Sequence, residues 1–400
     1  MHAGALLHKF FKKSAQEIHK KRLEALFVTV ESLLRGRLLT LSGLGQSMLG
    51  PVAVKHCIKR VNRLLGNTHL HTDRLILYRD LAERAIGRIK QPIILIDWSQ
   101  LDEHDKYYVI RATVPFFGRG LTIYEETHPK KVYDTHLVNK EFLLALKTLV
   151  PSHCQPIIVT DAGTGFRTPW LKEITRIGWD FVSRIRGRMT MFLHCNAEWA
   201  SCHDLYLKAK RQAKCLGHGL LTKENRFACE FFLAKRTIKK RSARSNKIET
   251  HYESNERGFS RRAMEPWLLA TSLDPDAVSP NTIISIYKQR MQIEESFRDS
   301  KNQRLGFSLK KTLSQCIHRL NILLLIGTIA TYIAISIGKV ASTLALQYQF
   351  QATSVKTKRV LSLFNLGCQI WLFEKVKISI THIRQALNSL SSCVIHLECL

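Results

Sequence analysis

Apolar residues recur along this chain with two different periods. Over residues 15–36, Leu23, Leu26, Val30, Leu33 and Leu34 return at helical intervals and predict an amphipathic helix. A second element at 40–48, with a turn at Gly43 and Gly45, leads into a third at 54–65. The third puts Lys55, Lys59, Arg60 and Arg63 on a polar side and leaves Ile58, Val61, Leu64 and Leu65 to face inward, with Gly66-Asn67 as its stop. From residue 90 the pattern changes to short apolar runs between turn residues. Residues 92–97 (PIILID) and 156–161 (PIIVTD) each read as a buried strand ending in an aspartate. Residues 107–114, 121–124 and 181–186 read as further strands, with Gly118 and Gly120 as turn residues, and 140–149 and 170–177 as helices. The interval 187–265 is weaker: strands are predicted at 227–233 and around Trp267–Thr271, and 235–247 carries basic residues without an acid and reads as a loop.

The strand and helix order through 90–186 is that of a ribonuclease-H-like α/β fold, a mixed-sheet catalytic core with Asp97 and Asp161 on neighbouring central strands. The predicted organisation is a helical region at 1–85, a core at 86–338 interrupted by a strand-containing insertion at about 187–265, and a helical region at 339–400. Residues 322–338 are apolar and uncharged. They sit at the short limit for a membrane span and stand alone in a basic chain, so they read as a buried core helix.

Charge changes the picture most. The 400 residues carry 61 Lys plus Arg against 32 Asp plus Glu, a net charge of +29. Such an excess points to a polyanionic partner, nucleic acid first. It turns the short helix, turn and basic helix of 40–65 into a candidate helix-turn-helix on DNA, with a solvated charged face as the bland alternative. The 10 cysteines are scattered with no C-x-x-C pair, and no long apolar stretch precedes the N-terminal charges. Reduced thiols in a cytoplasmic protein are the simplest reading. His194, Cys195, Cys202, His203, Cys215 and His218 crowd one region at spacings that fit no common zinc pattern.

The sharpest chemical signal is the series Tyr287, Arg290, Glu294, Lys301. On a continuous helix over 280–303 these intervals keep all four side chains within roughly 60° of arc, and Glu295 points about 100° away. One carboxylate then lies between cations and a phenol, a stripe suited to a metal ion beside a phosphate. Asp97, Asp161 and Glu294 are hard oxygen donors of the kind that hold Mg²⁺ or Mn²⁺. Two such ions about 3.5–4 Å apart can serve phosphodiester chemistry. The bland alternative for Tyr287 is a helix anchor in the core, and Trp267, beside Leu268 and Leu269, reads from pattern alone as core packing.

Five segments carry a resemblance: HCIKRVNRLLGN at 56–67, LIDWS at 95–99, VTDAG at 159–163, EPWLLAT at 265–271 and YKQRMQIEESFRDSK at 287–301. Over most of its length the chain resembles the DDE transposases of bacterial cut-and-paste insertion sequences, in their branch four, whose signature is Y-x2-R-x3-E-x6-K. The resemblance implies that Asp97, Asp161 and Glu294 form the metal-binding triad, with two Mg²⁺ ions and Mn²⁺ as a substitute. It implies that Tyr287, Arg290 and Lys301 contact DNA phosphates and that Trp267 stacks on a flipped base. It further implies element ends and target DNA as partners, a homodimer joined through the C-terminal region, no membrane, and work at the bacterial nucleoid. One departure stands out: Thr164-Gly165 intervenes before Phe166, where the family continues directly from glycine to phenylalanine. A metal nuclease of the same fold, such as a junction resolvase, and a DNA-binding regulator without catalysis are the rival readings.

Overall fold

The computed structural model describes residues 3–11, 14–163, 167–187, 189–195, 197–235, 265–373 and 378–400. The inserted Thr164-Gly165 and nearly all of the basic run 235–247 lie outside them. The described chain begins with helices α1 (Ala3–Phe10), α2 (Ser14–Glu17), α3 (Lys20–Gly36), α4 (Leu41–Gln46), α5 (Val54–Leu65) and α6 (Thr68–Ile86). Strands β1 (Ile93–Gln100), β2 (Tyr107–Phe116) and β3 (Arg119–Pro129) follow, then α7 (His136–Leu149), β4 (Ile157–Thr160), α8 (Thr168–Arg176) and β5 (Asp180–Ile185). Next come β6 (Thr190–Leu193), β7 (Glu198–Ser201), α9 (Cys202–Tyr206), β8 (Lys214–Leu221), β9 (Phe227–Ala234) and β10 (Trp267–Thr271). Helices α10 (Pro280–Lys288), α11 (Met291–Lys301), α12 (Ile317–Thr343), α13 (Leu363–Phe373) and α14 (Ile380–Asn388) complete it. The architecture is mixed α/β of the ribonuclease-H-like class.

Two compact units divide the chain. Residues 1–154 with 291–399 form the first, and residues 155–290 the second.

In the first unit, β3, β2 and β1 form an antiparallel meander. Phe117 and Gly118 turn β2 into β3 with positive φ at both positions, the geometry that a two-residue hairpin requires. Gly120, expected at the turn, lies instead in β3, where an added Cβ would sit 2.5 Å from Thr113 Oγ1. The strand predicted at 92–97 runs on to Gln100, so Asp97 sits inside β1 rather than at its end. The apolar segment 322–338 lies within α12, whose Leu323, Leu325, Ile326, Ile329 and Ile333 are buried against α3, α6, α13, α14 and β3. Burying each such side chain is worth about 1.5–3 kcal/mol, which makes α12 the axis of this unit's core.

The N-terminal helices fold as their periodicity predicts. Leu23, Leu26, Val30, Leu33 and Leu34 of α3 are buried, as are Val61, Leu64 and Leu65 of α5, while Ile58 is half-buried. The predicted helix at 15–36 breaks around Ile18-His19 into α2 and α3. Gly45 lets α4 meet α5 closely: an added Cβ would lie 2.5 Å from Ile58 Cγ1 and 2.7 Å from its Cα.

In the second unit β4 and β5 are parallel, and β10 pairs antiparallel with β5 and with β9. Strands β8, β6 and β7 continue from β9.

Candidate active site

The signature series does not occupy one helix. Helix α10 stops at Lys288 and α11 starts at Met291. Between them the backbone tightens to i→i+3 bonding: Gln289 N–H donates to the Ile286 carbonyl at 3.0 Å and Arg290 N–H to the Tyr287 carbonyl at 3.1 Å. The Ser285 carbonyl, left without its helical donor, accepts instead from the Gln289 side-chain amide at 3.1 Å. The single stripe expected from unbroken helical phase is therefore replaced by two short ones. Tyr287 and Arg290 belong to the second unit, Glu294 and Lys301 to the first.

Around Asp161 the second unit gathers Tyr287 and Arg290. Asp161 follows β4 directly. Its carboxylate accepts from the Ala162 N–H at 2.8 Å and from the Tyr287 hydroxyl at 3.1 Å, and the Arg290 guanidinium stands 3.7 Å away. Burial alone would raise the Asp161 pKa, but Arg290, the Ala162 N–H, Arg184 and Tyr287 together outweigh it and hold the group below the ordinary carboxylate range. The same environment raises Tyr287, first through burial and then through the Asp161 charge, so the phenol stays a donor. Trp267 on β10 meets the Tyr287 ring edge-on, with centroids 5.1 Å apart at 78°. Tyr287 is itself buried, so it anchors α10 while its hydroxyl serves Asp161.

In the first unit Asp97 is half-buried within β1 and lies opposite Arg111 in the β1–β2 register, so the two side chains share a face. Its carboxyl caps the Trp98 N–H at 2.8 Å. Helix α11 packs on β1, β2 and β3 and carries the half-buried Glu294. Lys301 is half-buried: its Nζ donates to Ser99 Oγ at 2.5 Å and lies 5.2 Å from the Phe297 ring centroid. Burial, then Arg111 and Lys310, push its pKa down to about 7 against the opposing pull of Asp97. On α5, Lys55, Lys59, Arg60 and Arg63 are exposed, on the polar side that the helical phase predicts.

Sequence reasoning passed over three charged residues. Arg184 lies in β5, only 8% exposed, paired with Glu265 at 3.4 Å and acting on Asp161. Arg111 and Glu125 are buried inside β2 and β3. Arg111 is a lone charge inside the run YYVIRATVPF, and that is a signal that could have found it; Glu125, next to Glu126, and Arg184, in a strand that opens with Asp180, carry no such mark. Elsewhere His218 pairs with Glu230 at 2.7 Å and stacks on His194. Among the described residues no three His, Cys, Asp or Glu side chains are gathered to hold a metal ion.

Comparison with known proteins gives one family: a model of the transposase DDE domain matches residues 88–331, more than half of the chain. No curated protein matches it.

Proposed function

Because this chain belongs to the transposase DDE family, we propose that it is the branch-four, hairpin-forming transposase of a bacterial insertion sequence, near the transposon-ten group. The observation that carries the reading is the convergence of Tyr287 and Arg290 on Asp161. Two signature residues, far from Asp161 in sequence, meet an acid that the resemblance assigns to the same triad as the signature's Glu294.

The metal fits by donor chemistry. Asp97 and Glu294 are half-buried carboxylates on a strand and a helix that pack together, and Asp161 is held ionised. Hard oxygen donors of this kind suit Mg²⁺, with Mn²⁺ as a substitute. Asp97, Asp161 and Glu294 would hold a pair of ions, whose chemistry is to polarise the attacking and leaving oxygens of a phosphodiester.

This chain's own residues do the rest. Arg290 and Lys301 offset phosphate charge as charge-assisted donors, and Tyr287 fixes the orientation of Asp161. Trp267 offers a ring to an unstacked base, and the exposed cations of α5 hold the end of the element. In the first step a water oxygen attacks phosphorus as the 3′ oxygen leaves. That 3′-hydroxyl then attacks the opposite strand to form a hairpin, water reopens it, and the 3′ ends join target DNA. Every step is an in-line exchange of one P–O bond for another. A homodimer joined through 339–400 belongs to the same reading, and Leu344, Tyr348, Leu372 and Phe373 are exposed there. The expected setting is the bacterial nucleoid.

The test is incubation of the full chain with its gene's flanking DNA and Mg²⁺, mapping products for cut position and hairpins. Glu294→Gln should abolish cleavage and leave DNA binding intact. Cleavage by that variant at the wild-type rate would remove Glu294 from the triad, and nicks without hairpins would favour a simple nuclease.

A further inference from the structure

A row of charges crosses the first unit's sheet in register. Asp97 on β1 lies opposite Arg111 on β2, and Arg111 lies opposite Glu125 on β3. Alternation along strands puts all three on one face. Glu125 is fully buried and Arg111 is only 2% exposed. The Arg111 guanidinium donates through Nε to Glu125 Oε2 at 2.8 Å, with Nη2 2.7 Å from the same oxygen. The other carboxylate oxygen accepts from Tyr78 at 3.3 Å and from Thr328 at 2.5 Å. Glu125 is thereby tied to α6 and α12.

The rest of the fork reaches α11. Nη1 donates to Ser296 Oγ at 3.3 Å, Nη2 to Ser300 Oγ at 3.3 Å, and the guanidinium lies 4.5 Å from the Phe297 ring centroid. Both serines donate their own protons to helix carbonyls, Ser296 to Ile293 at 2.7 Å and Ser300 to Ser296 at 3.1 Å. Their lone pairs are thus left for Arg111. A buried pair whose only task was stability would need no such reach, since apolar side chains of equal volume hold a core as well or better. The fork also excludes lysine as an equivalent, because one ammonium cannot serve a carboxylate and two serines on separate turns.

We propose that Arg111 is a positioning residue: anchored by Glu125, it sets the distance and phase of the Glu294-bearing helix against the Asp97-bearing strand. This rests on reading Asp97 and Glu294 as ligands of one metal site. A ligand pair held by a strand and a helix is only as exact as the contact between them, and misplacement of about 1 Å can cost about 100-fold in rate.

The test uses the full chain, a supercoiled plasmid carrying its gene with flanking DNA, and Mn²⁺. Three properties are read: nicking rate, Mn²⁺ bound at fixed free ion (from loss of the free-ion EPR signal), and melting temperature. Replacing Ser296 and Ser300 together by Ala leaves the Arg111–Glu125 pair intact and removes only the hold on α11. It should slow nicking by about 10-fold and weaken Mn²⁺ binding several-fold, while plasmid affinity and melting temperature hold. Arg111→Lys should fall with it, and Arg111→Met further, by about 100-fold. Wild-type nicking and Mn²⁺ binding by the double serine variant would overturn the proposal. So would losses that track the melting temperature across all three variants, since Arg111 would then only support the fold. Glu294→Gln separates the two layers: if it nicks normally the ligand reading falls, and if it is dead while the serine variant is silent only the positioning claim falls.

Discussion

The two strand aspartates are held by different means. Asp97 is built into β1, with strand residues on both sides and the β1–β2 register fixing which residue it faces. Asp161 stands just past the last residue of β4, where no ladder holds it, and its carboxylate is fixed by Ala162, Tyr287 and Arg290. One acid owes its place to backbone pairing, the other to side chains delivered by a helix end. A single substitution can loosen the second but not the first. The series Tyr287, Arg290, Glu294, Lys301 then has a physical division: its first two residues serve Asp161, while its last two ride on the helix packed against the strand of Asp97.

The largest break in that comparison should come from Arg290→Ala. The guanidinium is the foremost group favouring ionised Asp161 against burial, and without it the carboxylate keeps the Ala162 N–H, the more distant charge of Arg184 and the Tyr287 hydroxyl. Truncating one partner of a partly buried ion pair costs about 3 kcal/mol, so metal-dependent nicking should fall by roughly 100-fold. Plasmid nicking at saturating Mg²⁺ measures it. A variant within twofold of wild type would mean that Asp161 is held by its loop after all.

Much of this was legible in the chain. Runs such as IILI and IIVT, apolar and bounded by Pro and Asp, can hardly be anything but buried strands, so β1, β4 and their acids were found at once. The exposed cations of α5 followed from helical phase alone. Three features were not legible. The break at Gln289-Arg290 has no glycine or proline to announce it, and it depends on a side-chain amide replacing a backbone donor. Strand β6 is only four residues long, β7 and much of β8 are half-exposed, and β8 shifts register between Cys215 and Gly217, so this region gives no long alternating pattern. The row Asp97, Arg111, Glu125 exists only once strands are paired, because its members are distant in sequence and adjacent in register.

The next effect concerns Lys301, the cation that belongs with Asp97. Its pKa falls from 10.5 to about 7 because burial, the largest cause, disfavours the ammonium. A depressed folded-state pKa contributes stability above the unfolded value, and that stability is lost as pH falls through the folded one. Wild-type stability should therefore decline from about pH 10 to about pH 7 on account of this group, and then level. Lys301→Met should remove that slope and exceed wild type by on the order of 2 kcal/mol near pH 7, the gap closing toward pH 10. Urea denaturation across that range checks it, and parallel curves for the two proteins would show that Lys301 keeps its charge inside the fold.

The smallest effect is the most discriminating. Tyr287→Phe keeps the ring that Trp267 meets and that buries against the core, and removes only the hydroxyl donated to Asp161. A hydrogen bond to a charged acceptor is worth about 1.5 kcal/mol, but Arg290 and the Ala162 N–H remain, so the loss in nicking should be about fivefold, with melting temperature unchanged. If Tyr287 acted only as a packing anchor, the variant would match wild type. If its main contact were a DNA phosphate, plasmid affinity would fall with the rate and recover at low salt. A rate loss at constant affinity, smaller than that of Arg290→Ala and absent when Arg290 is already removed, would mark both side chains as acting on DNA cleavage through the same carboxylate.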